Sequence, residues 1–265
     1  MIPGRPDPVP CPACAAGQWD FCANGRYTER GIKGLHGYGA TRWRVGPEFA
    51  VKIPDRLGEL GVLTEPGSVV AKAWEQIDRI AARAAPPARV SGVALVTGAG
   101  PIGMLAALLA VQRGYQVHVF DRVETGPKPD LVAALGATYH RGPAAALDLR
   151  PDVVLECTGA GELVAGLAGR LAQAGVLCLI GISSRANRLP VDMNRLGASM
   201  VLENSVIFGT VSAARRHYEH AVAALARADP AWLGGLISRR VPLSSWPQGL
   251  TRQPGDVKVA VDLTK

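Results

Sequence analysis

Gly98, Gly100 and Gly103 form a G-x-G-x-x-G pattern with Ala99, Pro101 and Ile102 between them. The chemistry this spacing serves is the holding of a diphosphate. Gly98 permits a tight turn, Gly100 lets the backbone approach a pyrophosphate, and Gly103 lets a helix pack closely on a strand. The helix that follows the glycine turn then offers free N–H groups and partial positive charge to the anion. Asp121 closes the next apolar run, where a carboxylate accepts hydrogen bonds from ribose hydroxyls and favours NAD. Arg122 follows it and suits the 2′-phosphate of NADP. The expected cofactor is NAD or NADP, with Asp121 tipping the balance toward NAD.

A second set is Cys11, Cys14 and Cys22, spaced C-x2-C-x7-C in a Gly/Pro-rich stretch. Three thiolates so close suit a structural zinc, and a tetrahedral site needs a fourth ligand. Asp7 is the nearby candidate, since position 8 is proline; the alternative is three free thiols. Cys157 and Cys178 lie in apolar runs, where cysteine behaves as a small buried hydrophobe. The odd count of five implies no disulfide framework and a cytoplasmic setting. His217 and His220 share a helix face and are expected at the surface; His118 lies in a strand and is expected to be structural.

Residues 1–64 read as loops and short strands, with Ala50–Ile53 a strand ending at Pro54. Glu65 and Pro66 then open a helix to about Ala85, with Ala71, Trp74, Ile77, Ile80 and Ala81 on one face. Ala84–Pro87 mark a boundary. Beyond it, strands are expected at 93–97, 116–120, 137–140, 153–157, 176–180 and 206–210. Helices are expected from after Gly103 to Arg113 and at 129–135, 161–174 and 215–228, while 243–250 reads as irregular and 257–263 as a last strand. Alternation of this kind means a parallel sheet with helices on both faces.

Composition agrees. Hydrophobic residues make up 48% and charged residues 19%, so the chain can build a core. The +7 charge is dispersed, mostly as Arg, so a solvated surface is expected and nucleic acid is not the expected partner. Val93–Val111 carries no charge, but its central glycines and proline read as strand, turn and buried helix, not a membrane span. Met1–Pro12 lacks the apolar core of a signal peptide.

Taken together, these features resemble the zinc-dependent medium-chain dehydrogenases, whose cysteine lobe is spaced C-x2-C-x2-C-x7-C. Cys11, Cys14 and Cys22 match its last three positions, and Pro8 stands at the first. Asp20–Ile32, Leu35–Tyr38, Gly61–Pro66, Gly181–Ser184 and Arg215–Tyr218 look like the glucose 1-dehydrogenase branch. The likeness runs from about residue 5 to the C-terminus. It implies an α/β fold: a Rossmann dinucleotide-binding domain at 89–212, an incomplete GroES-like catalytic lobe at 1–88, and a return to that lobe at 213–265. Such enzymes begin with a further barrel segment that supplies a Cys and a His-Glu pair to the catalytic zinc, so the chain reads as a fragment or a truncated relative.

By the same resemblance, Glu65 is the acid that approaches the catalytic zinc, and Glu29 hydrogen-bonds a sugar hydroxyl. On the residues alone, Glu65 reads equally as a helix N-terminal acid, and Glu29 as a solvated one. Ser212 and Ala214 stand where related enzymes show asparagines. The implied reaction is oxidation of an aldose such as glucose at C1 to a lactone by zinc-assisted hydride transfer. The alternatives are a catalytically impaired nucleotide-binding relative, acting as sensor or assembly partner, and a zinc-free quinone or enone reductase. Apolar surface left on 30–65 and 236–265 would give poor solubility or favour a homo-oligomer that covers it.

Overall fold

The computed structural model describes residues 9–40, 42–84, 92–183 and 188–263. Asp7, Pro8, Ser184 and the 85–91 boundary lie outside the described residues. The chain divides into two compact units, 1–72 with 211–265, and 73–210. These divisions fall earlier than the boundaries at 88 and 212, because residues 73–81 belong with the second unit.

The first unit opens with α1 (Pro12–Ala15) inside the cysteine loop, followed by β1 (Glu29–Arg30) and β2 (Gly34–Leu35). The strand expected at 50–53 is a correction: the segment forms no strand and pairs with none among the described residues. Two 3-10 turns within Asp55–Leu63, parted by a kink at Gly58 with φ +44°, then feed α2 (Thr64–Ala81). Within α2, Val70, Ala73, Trp74 and Ile77 recur at helical spacing and are fully buried, which is what fixes this amphipathic helix.

The second unit is an all-parallel six-stranded sheet, in order β5-β4-β3-β6-β7-β8. Along the chain it runs β3 (Val93–Thr97), α3 (Pro101–Gln112), β4 (Gln116–Phe120), α4 (Pro127–Ala134), β5 (Thr138–His140) and β6 (Val153–Glu156). It continues through α5 (Gly161–Ala168), β7 (Val176–Leu179), α6 (Met193–Glu203) and β8 (Val206–Gly209). Residues 93–112 are thus a strand, a glycine turn and a helix, and none of the described helices is long and apolar enough to cross a membrane. Gly103–Ala110 are all buried, as expected of a helix apolar on every side. Leu95, Phe120, Val154, Leu171 and Leu177 form one core cluster against the sheet. The helix expected at 161–174 stops at Ala168; beyond it Gly169 caps the helix and Ala174 takes a positive φ of 57°. Helix α6 had no clear sequence signal.

The chain then returns to the first unit with α7 (Arg215–Leu225), α8 (Pro230–Leu236), β9 (Ile237–Pro242), α9 (Trp246–Leu250) and β10 (Lys258–Asp262). Strands β9 and β10 pair in parallel with a register shift at Lys258/Val259. The irregular reading of 243–250 is corrected by α9, where Pro247 in the first turn is compatible with helix. His217 is another correction. It is fully buried, and its Nδ1 accepts the Ala214 N–H at 2.8 Å, closing the start of α7 where an acid usually does so. His220 is exposed.

His118 and His140 meet between β4 and β5, His118 Nδ1 to His140 Nε2 at 2.7 Å. Burial lowers both below the usual imidazole range, and the neighbouring His140 charge adds to the effect on His118. A lowered folded-state pKa means the unfolded chain takes up protons first. Stability is therefore complete above the unfolded value of about 6.5 and is lost as pH falls below it. Urea midpoints are expected to drop between about pH 7.5 and pH 5.5, and a His118→Asn, His140→Asn double variant is expected to flatten that slope.

Candidate functional site

In the second unit the chain reverses its build direction between β3 and β6, which lie side by side. Open parallel sheets bind ligands at the carboxyl ends of strands at such a switch point. The Gly-rich turn follows β3 there, and Cys157–Gly159 follow β6.

Two backbone contacts shape the turn. Gly98 has φ +89° and donates its N–H to the Phe120 carbonyl at 2.7 Å. A Cβ on Gly103 would lie 1.7 Å from the Gly98 oxygen, so the first turn of α3 rests directly on the end of β3. Nothing lies within 4 Å of a Cβ built on Gly100, which leaves open space where the backbone would meet a pyrophosphate. Helix α3 begins at Pro101 and aims its N-terminus from this turn. The cradle therefore fits a dinucleotide.

Below the turn, Glu156 is fully buried. Its Oε1 accepts the Thr158 N–H at 2.7 Å and the Gly159 N–H at 3.1 Å, together with the Thr97 hydroxyl at 3.2 Å and the Thr158 hydroxyl. Thr158 Cγ2 would stand 2.8 Å from a Cβ on Gly98, so this carboxylate holds the wall behind the turn. Sequence reasoning missed it, because a single acid at a strand end gives no periodic signal.

Asp121 is where the sequence reading places it, but its carboxylate is already engaged. Oδ2 accepts the Ala99 N–H at 2.7 Å and Lys128 Nζ at 2.8 Å, and Oδ1 accepts the Val123 N–H at 3.0 Å. Burial alone would raise its pKa, but the Lys128 ammonium and the two N–H donors outweigh this and hold it below the usual range. Lys128 is buried and neutralises the acid, while Arg122 is exposed. The carboxylate therefore braces the turn through Ala99, a role the motif alone does not reveal.

The first unit holds the remaining candidates. The Sγ atoms of Cys11, Cys14 and Cys22 all lie within 4.8 Å of one another, a spacing that thiolates sharing one zinc can adopt. The Ala23 N–H reaches Cys11 Sγ at 3.5 Å and, with further backbone donors, brings that thiol down to about 7. Cys22 Sγ is 3.0 Å from Asn24 Oδ1. The three thiols thus fit a zinc ion. They are the one group of three metal-ligating side chains found among the described residues.

Glu29 is almost buried on β1 and shares a pocket of about 110 Å³ with Trp19, Asp20, Tyr27, Val211 and Ser212. Ser212 Oγ lies 3.5 Å from Glu29 Oε1. Glu65 is exposed in the first turn of α2, and its carbonyl accepts the Ser68 hydroxyl at 2.7 Å. The charges of Glu65 and Glu29 both act on Tyr218, whose hydroxyl burial already pushes well above its ordinary range. The two acids thus sit within electrostatic reach of one buried phenol. Ala214 is buried as the N-cap of α7.

Comparison with known proteins places these features in context. The profile described as Glucose dehydrogenase C-terminus matches residues 58–263. A glucose 1-dehydrogenase of Methanocella arvoryzae is 36% identical over 98% of this chain and 74% of its own length. One from Thermoproteus tenax is 35% identical over 92% of this chain and 71% of its own. Among solved structures, Haloferax mediterranei glucose dehydrogenase in complex with NADP, Zn and gluconolactone superposes with a TM-score of 0.90. It is 27% identical, over 100% of this chain and 76% of that one.

Proposed function

Since the chain belongs to the glucose dehydrogenase family within the zinc-dependent medium-chain dehydrogenases, we propose that it oxidises an aldose such as glucose at C1 to the lactone, with NAD or NADP as hydride acceptor. The observation that carries this reading is the whole-chain likeness to glucose dehydrogenases, and the residues described above agree with it.

The turn at Gly98, Gly100 and Gly103 and the N-terminus of α3, with Pro101 and Ile102, hold the diphosphate. Asp121 and Arg122 face the adenosine ribose, and Lys128 offsets the charge of the acid. Glu29 accepts a hydrogen bond from a sugar hydroxyl, with the Ser212 hydroxyl beside it. In the reaction the C1–H bond breaks with its electron pair passing to the nicotinamide, and the C1 hydroxyl gives up its proton. Glu65 is the carboxylate assigned to that proton path. A zinc ion bound beside the sugar would lower the pKa of the hydroxyl. Of the described residues Glu65 alone is assigned to such an ion, short of the three or more protein ligands a catalytic zinc takes.

Cys11, Cys14 and Cys22 are assigned to a structural zinc, which contributes folding energy and no redox chemistry. Cys14→Ser is expected to lower zinc content by mass spectrometry from about one per chain to near zero and to lower the thermal midpoint. Retention of zinc by that variant would remove the assignment. The reading includes a reducing, cytoplasmic setting, supported by the five free cysteines. It also includes a homo-oligomer, supported by exposed apolar side chains such as Ile32, Trp43, Trp246 and Leu250.

The test of the function is steady-state reduction of NAD and NADP by glucose with wild type and Glu29→Gln. Glucose-dependent reduction is expected, with the variant raising KM for the sugar about tenfold and leaving KM for the dinucleotide unchanged, the signature of lost sugar binding. No reduction with either cofactor would count against it.

A further inference from the structure

Lys72 and Asp20 form a buried ion pair that the proposed chemistry does not use. Their side chains are 3% and 0% exposed, with Nζ 2.9 Å from Oδ2. Burying two charges generally costs more than their attraction returns, so such a pair is weak support for stability by itself. What this pair holds is more informative. Lys72 also donates to the Val211 carbonyl at 2.8 Å, and its ammonium sits 4.4 Å from the centre of the Phe21 ring. Val211 precedes Ser212, which has φ +63°. The left-handed region is unfavourable for serine, so its neighbours must impose it. In that conformation Ser212 Oγ faces Glu29 across the pocket that Asp20 also lines.

We infer that Lys72 is a positioning residue: by tying Asp20, between Cys14 and Cys22 on the cysteine loop, to the Val211 carbonyl, it holds Ser212 in the conformation that turns its hydroxyl toward Glu29. The cysteine loop and the Glu29 wall are then fixed by one ammonium group. As a statement about sugar binding, this rests on the reading of the Glu29 pocket given above.

The experiment uses the full chain carrying Lys72→Met, alone and combined with Asp20→Asn so that no buried charge is left unpaired. Hydrogen exchange is followed over the whole chain, and KM and kcat for glucose are measured for each Lys72 variant with and without Ser212→Ala. In both Lys72 variants, exchange over 210–214 is expected to rise about tenfold while 93–121 stays unchanged. KM for glucose is expected to rise about tenfold with kcat within about threefold, and Ser212→Ala is expected to add little on top, as for residues that act as one unit. Unchanged exchange over 210–214, a rise spread evenly over the chain, or additivity with Ser212→Ala would overturn the inference. A wild type inert toward glucose would overturn the sugar reading instead, and the exchange data would still decide whether Lys72 holds the segment.

Discussion

Gly103→Ala is expected to weaken dinucleotide binding severely. The new Cβ would lie 1.7 Å from the Gly98 oxygen and 2.9 Å from its carbonyl carbon, and both are backbone atoms with no rotamer to change. The start of α3 must lift off the end of β3, and Gly103–Ala110, buried on every side, resist the shift. The N–H groups proposed to meet the diphosphate move with the helix. A loss of at least about 100-fold in affinity, near 3 kcal/mol, is expected by calorimetric titration. Gly100→Ala separates packing from binding. Gly100 has φ −84° and open space at its Cβ position. That variant is expected to keep its thermal midpoint and still bind the dinucleotide weakly, because the methyl group would occupy the place of the pyrophosphate. Equal affinity in wild type and Gly103→Ala would mean that the turn is only structural.

Removing the Glu156 carboxylate is expected to have the second largest effect. It is fully buried and accepts two backbone N–H groups and two hydroxyls. Glu156→Ala would leave the Thr158 and Gly159 N–H groups without their acceptor. Hydrogen bonds to a charged group contribute about 1.5–3 kcal/mol each, so a loss of about 3 kcal/mol in urea unfolding is expected. Glu156→Gln keeps one acceptor oxygen and is expected to lose about half as much. Because Thr158 backs Gly98, dinucleotide affinity is also expected to fall in both variants. A neutral Glu156→Ala would mean that water replaces the carboxylate without cost.

The parts of this molecule that the sequence showed plainly were those with local rules. The strands at 93–97 and 116–120 stand where their apolar runs put them, and Gly114, with φ +81°, stops α3 as a glycine after a helix usually does. Helix α2 followed from its apolar stripe, but it ends at Ala81 and not near Ala85, and Ala81, expected on the apolar face, is exposed. Missed features depended on pairing or local geometry that composition and spacing do not encode. The run at 50–53 has strand composition, but a strand also needs a ladder, and none of the described residues supplies one. Helix α6 carries no fully buried residue, so it lacked a core stripe to read. His217 looked like a surface residue because its acceptor role toward Ala214 appears only once the helix start is built.

The candidate site divides in the same way. The three glycines, Asp121 and the cysteines were visible because their spacing is their chemistry. Lys128 and the Lys72–Asp20 pair were not, since each meets a partner on another segment, and Glu156 was not, since a single acid at a strand end gives no periodic signal. Even Asp121 was legible in position and not in state, because the Lys128 ammonium that engages it comes from the following helix, α4.

The proposed reaction moves the C1 hydride of an aldose onto a nicotinamide. The most direct test is to incubate the purified chain with glucose deuterated at C1 and NAD or NADP, and to examine the reduced nicotinamide by mass spectrometry. Deuterium carried onto the nicotinamide ring, with lactone formed in equal amount, is expected. A cofactor left oxidised, or reduced without deuterium, would contradict it.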